Sequence, residues 1–349
     1  MVAIVLNKNP KPNTPFIHGV ELGDNQTAEA QRPEEAIVKI QAAAFNHRDV
    51  WILKGLYPGI KEGSVLGADG VGIVVKKGSS DSQVGQRVLI NPGVNWDSDP
   101  RGPEGAFGIL GLLPFAGTFA DSVVIDGKEL VPCPAHLSTA EAAALPLAGL
   151  TAYRTVFTKA KVQAGDHVLV TGIGGGVALF ALQFCVAAGA HVYVTSSSPE
   201  KIKRAIELGA KGGINYKDDN CIAELKKLLG KNLLAAVIDG AGGPLFPQYA
   251  KVMKTGGIIA QYGQTASPKG VAFSMVQVLK NIDLVGSTMG SRAEFKEMVA
   301  FVDKHKIKPV VSNVFQGLSL ESFDGAISTL VNGEQFGKVV IDLTDRQKL

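Results

Sequence analysis

A glycine-rich turn at residues 172–176 is the part of this sequence best suited to chemistry. Its residues, Gly-Ile-Gly-Gly-Gly, join an apolar strand-like stretch at 168–171 to an apolar helix-like run that ends near residue 188, and a second strand follows at 191–195. Glycines at such a turn let the backbone approach a phosphate group, while the first amides and the dipole of the helix face the anion. Val177 stands where a strict G-x-G-x-x-G motif has its third glycine. We predict a dinucleotide site; a glycine-rich turn of another kind of α/β protein is the alternative.

The end of the second strand predicts which dinucleotide is bound. A site for NAD usually has an acidic residue there, which binds the ribose 2′-hydroxyl. This chain has Ser196, Ser197 and Ser198 instead, followed by Lys201. Because hydroxyl groups and an ammonium group suit a 2′-phosphate, we predict NADPH rather than NADH. An ordinary solvated residue in the first turn of a helix is the alternative for Lys201.

Composition excludes several classes of protein. The chain has 349 residues, enough for two domains, and its 46% hydrophobic and 19% charged residues are typical of a soluble globular protein. A net charge of +3 without a Lys/Arg-rich run argues against a nucleic-acid partner. The sequence shows no secretory signal and no apolar stretch of about 20 residues that could span a membrane. The three cysteines lie far apart, which favours free thiols in a cytoplasmic protein.

The order of the predicted elements divides the chain into two parts. Short strands and turns dominate up to about residue 130, with a Pro/Gly-rich loop at 91–117. Strands and helices alternate from about residue 147 onward, which is typical of a doubly wound parallel sheet. The segment beyond residue 290 cannot form a domain alone, so we expect it to return to the N-terminal part.

Six short segments in a fixed order carry a family resemblance. They are Asn-His-Arg-Asp at 46–49, Gly-Ala-Asp-Gly-Val-Gly at 67–72, Gly-Gln-Arg-Val at 85–88, Gly-Thr-Phe-Ala at 117–120, Leu-Ala-Gly-Leu-Thr-Ala-Tyr at 147–153, and the glycine turn. With them the chain resembles the medium-chain dehydrogenase/reductase superfamily over nearly its whole length. The resemblance implies an α/β fold: a GroES-like, mostly β catalytic domain at 1–146 and 289–349, and a Rossmann cofactor domain with a doubly wound parallel sheet at 147–288. It also implies a homodimer or homotetramer, for which the strand at 283–287 is the candidate pairing edge.

Departures from the zinc-dependent members of that superfamily predict that this chain holds no metal. The three catalytic zinc ligands of those members correspond to Asn46, Ala68 and Leu147, and neither alanine nor leucine can ligate a metal. Residues 91–117 also lack the four cysteines of the structural zinc lobe. Asp69 replaces the neighbouring family glutamate.

Other polar residues near Asn46 are predicted to be structural. The histidines show no metal-ligand spacing, so we reject the alternative of a site rebuilt from His47 and Asp49. We expect Arg48 and Asp49 to form an ion pair. We expect Asp69 to bond either the backbone or Arg48, and we give it no catalytic role.

The resemblance then predicts the reaction. The segment from Asn46 to Tyr57 resembles that of zinc-free quinone oxidoreductases and enone reductases, which ends in an active-site tyrosine. Without a Lewis acid a conjugated acceptor is the easier substrate, because hydride adds at its β-carbon and the charge delocalises. We predict an NADPH-dependent reductase of quinones or α,β-unsaturated carbonyls, with Asn46 and Tyr57 as catalytic hydrogen-bond donors; a turn cap and a loop aromatic are their structural alternatives. Alternative functions are a metal-free aldehyde or alcohol oxidoreductase, a trans-acting enoyl-thioester reductase, and an NADPH-binding regulatory or structural protein with little turnover.

The resemblance also implies which residues contact the cofactor. Lys201 and Tyr216 resemble the pair that holds the 2′-phosphate in the quinone reductase branch. His47 is expected near the cofactor or substrate, although a structural histidine is an equal alternative. The remaining predicted contacts are Thr151, Gly174, Gly175, Gly176, Val177, Ser196, Ser197, Asp239, Gly240, Tyr262, Gly263, Ser287, Thr288, Phe336 and Lys338.

Overall fold

A computed structural model describes residues 2–9, 15–24, 32–77, 83–266 and 270–344 of the chain. The chain forms two compact units. Unit 1 consists of residues 1–148 and 291–349, and unit 2 consists of residues 149–290. Among the described residues, no helix has both the length and the apolar character needed to cross a membrane.

Unit 1 is built on a mainly antiparallel sheet whose strands bury alternate residues. In the third strand Ala36, Val38 and Ile40 are buried, whereas Lys39 between them is exposed. This alternation places one face of the strand on the core. The elements of the first part of unit 1 are β1 Val2–Lys8, β2 His18–Asp24, β3 Glu35–Ala44, α1 His47–Leu53, β4 Asp69–Lys77, β5 Arg87–Ile90, β6 Gly93–Val94, β7 Gly108–Ile109, β8 Ser122–Asp126, β9 Leu130–Pro132 and α2 Thr139–Ala144.

Unit 2 is a six-stranded parallel sheet with helices between its strands. The chain passes into it along α3 (Pro146–Tyr153) and a π-helical turn at 154–159. The elements that follow are β10 His167–Val170, α4 Gly176–Ala187, β11 His191–Ser196, α5 Pro199–Glu207, β12 Gly212–Asn215, α6 Cys221–Leu229, β13 Leu234–Asp239, β14 Met253–Gln261, α7 Met275–Leu279 and β15 Asp283–Gly286. Their order in the sheet is β12-β11-β10-β13-β14-β15. The order reverses between β10 and β13, which is where doubly wound sheets bind ligands.

The last part of the chain returns to the sheet of unit 1, as predicted. Its elements are α8 Arg292–His305, β16 Val311–Gln316, α9 Leu320–Asn332 and β17 Lys338–Asp342. Strand β17 pairs antiparallel with β3, with Val340 opposite Ala44. The complete sheet has the order β16-β17-β3-β4-β5-β9, and β8 pairs with β3.

The segment at 91–117 is a loop, as predicted, but it contains the short hairpin of β6 and β7. The Glu104 carboxylate accepts hydrogen bonds from the backbone amides of Asp97, Ser98 and Asp99, at 2.7 to 2.8 Å. These bonds, chiefly the one from Ser98, lower the pKa of Glu104 to about 2. Arg292 on α8 adds an ion pair of 2.7 Å to Asp97. A carboxylate and a guanidinium therefore hold this loop within unit 1.

Two elements have bounds that local hydrogen bonds set. Strand β8 begins only at residue 122, because the amides at 118 and 119 donate to the carbonyls of residues 67 and 66 instead of continuing a ladder. Residues 246–251 form a short 3₁₀ helix, which cannot continue because Met253 already belongs to β14.

Candidate active site

The glycine turn of unit 2 has the backbone geometry of an anion site. Gly172 and Gly174 have φ angles of +65° and +123°, in the region that favours glycine. The N-cap of α4 is Gly175, which offers no side chain to the first amides of that helix. A Cβ atom added at Gly172 would meet no atom within 4 Å. The turn therefore faces open space with backbone donors, and it fits the phosphates of a dinucleotide.

Two of the residues predicted to bind the 2′-phosphate lie beside this turn and beside the end of β11. A Cβ atom at Gly174 would lie 3.0 Å from Cδ and 3.4 Å from Nζ of Lys201. Burial lowers the pKa of Lys201, and neighbouring Arg204 adds to this effect. The amide of Tyr216 donates to the carbonyl of Ser196 at 3.3 Å, and the residue is 43% exposed. The structure thus places Lys201 against the glycine turn and Tyr216 next to Ser196.

Asp239 ends β13, on the far side of the point where the strand order reverses. Its carboxylate accepts hydrogen bonds from the Thr171 hydroxyl at 2.7 Å and from the Gly242 amide at 3.1 Å. Burial raises the pKa of Asp239, and these hydrogen bonds oppose that rise. A Cβ atom at Gly240 would collide with the Tyr262 hydroxyl, so only glycine fits there. The Asp239 carboxylate is engaged inside unit 2, where it fixes the turn after β13; its contact with a cofactor stays a prediction.

The end of β15 and the helical segment after residue 149 form a third group in unit 2. The Thr155 hydroxyl donates to the Thr151 carbonyl at 2.6 Å and lies 3.1 Å from the Ser287 hydroxyl, and the Thr151 hydroxyl lies 3.9 Å from the Met289 sulfur. Met289 is buried and has a φ angle of +45°, which is strained for a residue with a side chain. Of the other predicted contacts in unit 2, Gly176, Val177, Ser197 and Gly263 are half-buried and Thr288 is exposed.

Asn46 lies in a buried polar cluster of unit 1 that three neighbouring strands assemble. Lys338 begins β17, Asn46 comes two residues after β3, and Asp69 begins β4. The Asn46 side chain donates from Nδ2 to Asp69 Oδ2 at 2.9 Å, and its Oδ1 accepts from Lys338 Nζ at 2.6 Å. Lys338 Nζ also contacts Asp69 Oδ2 at 2.8 Å. The amide of Leu147 donates to the second Asp69 oxygen at 2.6 Å. We call Asn46, Asp69, Leu147 and Lys338 the Asn46 cluster.

The Asn46 cluster is almost closed to solvent. Asp69 is 0% exposed, Lys338 is 4% exposed and Asn46 is 8% exposed. A buried charge is tolerated only when it is paired and hydrogen-bonded, and both charges meet that condition here. Lys338 was predicted to contact a cofactor, and that contact stays a prediction. What the structure shows is an ammonium group bound to Asn46 and Asp69.

Asp49 lies directly behind this cluster in the first turn of α1. One of its carboxylate oxygens accepts a hydrogen bond from the backbone amide of Asn46 at 2.8 Å. Its other oxygen is buried and has no partner among the described residues. Burial, opposed in part by the charges of Arg48 and Lys338, raises the pKa of Asp49 to about 6. Asp49 therefore helps to fix the backbone at Asn46 at a cost in desolvation.

The expected ion pair between Arg48 and Asp49 is wrong. The Arg48 guanidinium donates to the carbonyl of Leu110 at 2.7 Å, and its central carbon lies 4.9 Å from the centroid of the Tyr57 ring. Among the described residues, no ion pair joins it to Asp49. The carbonyl and the aromatic face hold the guanidinium instead. Arg48 thus contacts the ring of Tyr57, which lies on the loop after α1 and packs against the core of unit 1.

The two other predicted residues of unit 1 differ in their surroundings. His47 is exposed, and its ring lies 5.7 Å from the Trp51 ring. Phe336 is 3% exposed, and its amide donates to the Ser312 hydroxyl at 3.3 Å. These positions leave the predicted cofactor contacts of both residues as predictions.

Comparison with known proteins identifies the family. Residues 32–135 match the family model of the alcohol dehydrogenase GroES-like domain, and residues 176–304 match that of zinc-binding dehydrogenases. A zinc-type alcohol dehydrogenase-like protein, YogA, of Leptosphaeria maculans is 43% identical over 90% of this chain and 92% of its own. The chain belongs to the medium-chain dehydrogenase/reductase superfamily. The resemblance drawn from the sequence and the two-part fold are confirmed.

Other members of the superfamily resemble this chain along nearly its whole length. An acryloyl-coenzyme A reductase of Metallosphaera sedula is 29% identical, over 90% of this chain and 96% of its own. A crystal structure of an NAD-dependent alcohol dehydrogenase is 34% identical, with a TM-score of 0.87 over 98% of this chain and all of that one. These similarities support an oxidoreductase.

The superfamily includes zinc enzymes, but the residues at the corresponding positions here do not fit zinc. Zinc needs three or four converging nitrogen, sulfur or oxygen ligands. Ala68 and Leu147 offer no side-chain donor, and the oxygen of Asn46 is bound to the Lys338 ammonium. Among the described residues, no group of three or more His, Cys, Asp or Glu side chains could hold a metal ion.

Reasoning from the sequence predicted only part of the Asn46 cluster. Asp69 was expected to bond the backbone or Arg48, and its bond with the Leu147 amide confirms the first alternative, but its contacts with Asn46 and Lys338 were missed. A signal was present, because Lys338 opens the strand Lys-Val-Val-Ile-Asp and is followed by apolar residues. A lysine that such a strand buries needs a buried acid, and Asp69 stands at the start of a buried strand.

Proposed function

We propose that this protein is an NADPH-dependent reductase that transfers hydride to quinones or α,β-unsaturated carbonyls without a catalytic metal. The observation that carries the proposal is the Asn46 cluster. It presents a fixed amide donor where zinc-dependent members of the superfamily hold their metal. NADPH, when bound, supplies the hydride, and a proton from water or Tyr57 completes the reduction of the carbon–carbon double bond or the quinone.

The chain's own residues would stabilise the charge that hydride addition creates. Hydride arriving at the β-carbon of an enone pushes an electron pair onto the carbonyl oxygen, and preorganised hydrogen-bond donors stabilise that oxygen. Asn46 can donate a hydrogen bond from its side-chain N–H, and Tyr57 can donate one from its hydroxyl. Arg48, at 4.9 Å from the Tyr57 ring, fixes the tyrosine that would bear this role. The conjugated acceptor delocalises part of the negative charge, so its reduction needs less stabilisation by the protein than that of an isolated carbonyl.

The preference for NADPH rests on unit 2. Lys201 lies at the glycine turn, and Ser196, Ser197 and Tyr216 lie at the adjoining strand ends. No carboxylate occupies the end of β11, where one would favour a 2′-hydroxyl. An NAD-dependent alcohol dehydrogenase is among the similar structures, so the proposal implies that this chain and that relative use different cofactors.

A second substrate class is favoured by one comparison. The relative at 29% identity is an acryloyl-coenzyme A reductase, and an enoyl thioester is itself an α,β-unsaturated carbonyl. The same donors would serve it, because the charge again develops on an oxygen conjugated with the double bond. Reduction of a free aldehyde, and NADPH binding with little turnover, are the remaining alternatives.

The test is an assay of NADPH and NADH oxidation with a panel of acceptors. The panel contains a quinone, a free enone, an enoyl-coenzyme A and an unconjugated aldehyde, each with the purified full-length protein. We expect turnover of a conjugated acceptor with NADPH and at most slow turnover of the aldehyde. Tight NADPH binding without turnover of any acceptor contradicts the proposal and favours a binding protein.

We also propose that the protein associates with a second copy of itself through the edge of unit 2. β15 is one of the two edge strands of the sheet in unit 2, the other being β12. Helix α7, which precedes β15 in the chain, exposes apolar side chains, with Met275 65% and Leu279 76% exposed. An edge strand and an exposed apolar patch are both features that pair with another chain. Leu279→Glu should shift the mass measured by light scattering toward the monomer, whereas Leu228→Glu on α6, at 43% exposure, should leave it unchanged.

A further inference from the structure

We infer that Lys338 is a positioning residue for the reaction: its ammonium group locks the orientation of the Asn46 amide and polarises it, so that one N–H remains available to a substrate oxygen. The inference rests on the proposed function, because it assigns a second residue to the same site. It also gives Lys338 a role other than a contact with the cofactor.

The partners of Asn46 fix the positions of its side-chain oxygen and nitrogen. Only an oxygen can accept from the Lys338 ammonium, and only the nitrogen can donate to the Asp69 carboxylate. Rotation of the amide by half a turn would place its nitrogen against the ammonium and its oxygen against the carboxylate. Two charge-assisted hydrogen bonds would then become two repulsive contacts. The amide therefore has one orientation.

That orientation leaves one donor free. The nitrogen of Asn46 carries two hydrogens, and Asp69 accepts one of them. Among the residues that the structure describes, no acceptor takes the second. Asn46 is also the member of the cluster's three polar side chains with the most exposed surface, at 8%. The second N–H is therefore the group with which the cluster can meet a substrate oxygen.

The sheet register brings Lys338 to Asn46. The amide of Phe45 donates to the carbonyl of Val339 at 2.9 Å, and Asn46 and Lys338 are the neighbours of these two residues in sequence. A backbone hydrogen bond between β17 and the end of β3 thus fixes both side chains side by side. The contact does not depend on a mobile surface side chain.

The charge of Lys338 also has an electronic effect. A cation at the amide oxygen favours the resonance form with positive charge on nitrogen, which strengthens the N–H as a donor. A buried ion pair is by itself a weak way to stabilise a fold. Polarisation of the donor is a reason to keep the pair at this place.

A double-mutant cycle on kcat tests the inference with the full-length protein. Lys338→Met should lower kcat about tenfold to a hundredfold and leave the NADPH dissociation constant within about twofold. In the Asn46→Ala background the same substitution should lower kcat less than about twofold, because the residue through which Lys338 acts is gone. Independent effects of the two substitutions, or a large loss of NADPH affinity in Lys338→Met, would overturn the inference.

A second variant guards against unfolding of unit 1 when Asp69 loses its cation. Lys338→Met/Asp69→Asn removes both charges, and its fold is checked by the fluorescence of Trp51 and Trp96, which both lie in unit 1. This variant should fold and keep the low kcat. Wild-type kcat in the folded double variant would show that Lys338 is merely structural.

An activity-free measurement separates this inference from the proposed function. In ¹⁵N spectra the two side-chain protons of Asn46, assigned by their loss in Asn46→Ala, should be widely separated in the wild type and move together in Lys338→Met. If no acceptor is turned over, the proposed function fails and this spectrum still decides the positioning role. Unchanged Asn46 signals in Lys338→Met would refute it.

Discussion

The glycine turn of unit 2 and the Asn46 cluster of unit 1 are built in opposite ways. The turn is contiguous in sequence, uses backbone amides, and keeps side chains away so that a ligand can come close. The cluster joins side chains separated by 23, 269 and 292 positions, is almost closed to solvent, and carries two buried charges. The glycine turn is suited to bind the negative charge of a ligand, whereas the Asn46 cluster pairs the two charges of its own side chains.

This difference divides the expected defects between the two units. Substitutions at the turn should change which cofactor is bound and how tightly. Substitutions at the Asn46 cluster should change turnover or the stability of unit 1. A variant that lowered cofactor affinity and turnover equally would contradict this division between the units.

The largest expected effect is on turnover. Asn46→Ala should lower kcat about a hundredfold to a thousandfold, as is typical when a preorganised donor to a developing oxyanion is removed. The ion pair between Asp69 and Lys338 stays intact in this variant, so the fold should persist. The NADPH dissociation constant, measured by fluorescence titration, should remain near the wild-type value. A loss of cofactor affinity equal to the loss of kcat would contradict the division between the units.

The next effect is on cofactor choice. Lys201→Ala should weaken NADPH binding about tenfold and leave NADH binding nearly unchanged, because a hydrogen bond between charged groups is worth about 1.5–3 kcal/mol and part of this is screened by solvent. Lys203→Ala, on the exposed face of the same helix, is the matched control and should change neither affinity. Titration of both variants with both cofactors measures the preference. Equal weakening of NADPH and NADH would argue against a 2′-phosphate site.

The smallest expected change is in the pH dependence of the stability of unit 1. The pKa of Asp49 is raised to about 6 from an ordinary value near 3.8, so its contribution to stability is present at low pH and is lost as the pH rises through about 6. Asp49→Asn carries no such charge and keeps an oxygen for the Asn46 amide. The variant should therefore be more stable relative to wild type at pH 7.5 than at pH 5, with a difference of about 1 kcal/mol in the relative free energy of unfolding.

Denaturant unfolding followed by tryptophan fluorescence measures this difference, since both tryptophans lie in unit 1. Asp219→Asn, at an exposed position of unit 2, is the control and should show no dependence on pH by this probe. A difference of the opposite sign for Asp49→Asn would mean that Asp49 is held as a favourable charge.

The two regions also differ in how well the sequence predicts them. The glycine turn could be recognised because its strand, turn and helix are adjacent in sequence, and local steric requirements select glycine in the turn. The place of Asn46 was found through a family resemblance, but its partners were not. Lys338 reaches Asn46 only because β17 pairs with β3 in one register, and a shift by one residue would turn its side chain to the other face of the sheet. The pairing of Arg48 failed for a similar reason, since Leu110 and Tyr57 come to it through tertiary contacts.

The interruption of unit 1 by unit 2 has a consequence for biosynthesis. A ribosome delivers Asn46 and Asp69 long before residue 338, whereas residues 149–290 emerge as one continuous stretch. Unit 1 therefore lacks β17, and with it the ammonium that pairs with Asp69, until the end of synthesis. A chain released before residue 338 should be able to assemble the parallel sheet of unit 2, whereas unit 1 would miss a central strand of its sheet and the partner of a buried carboxylate.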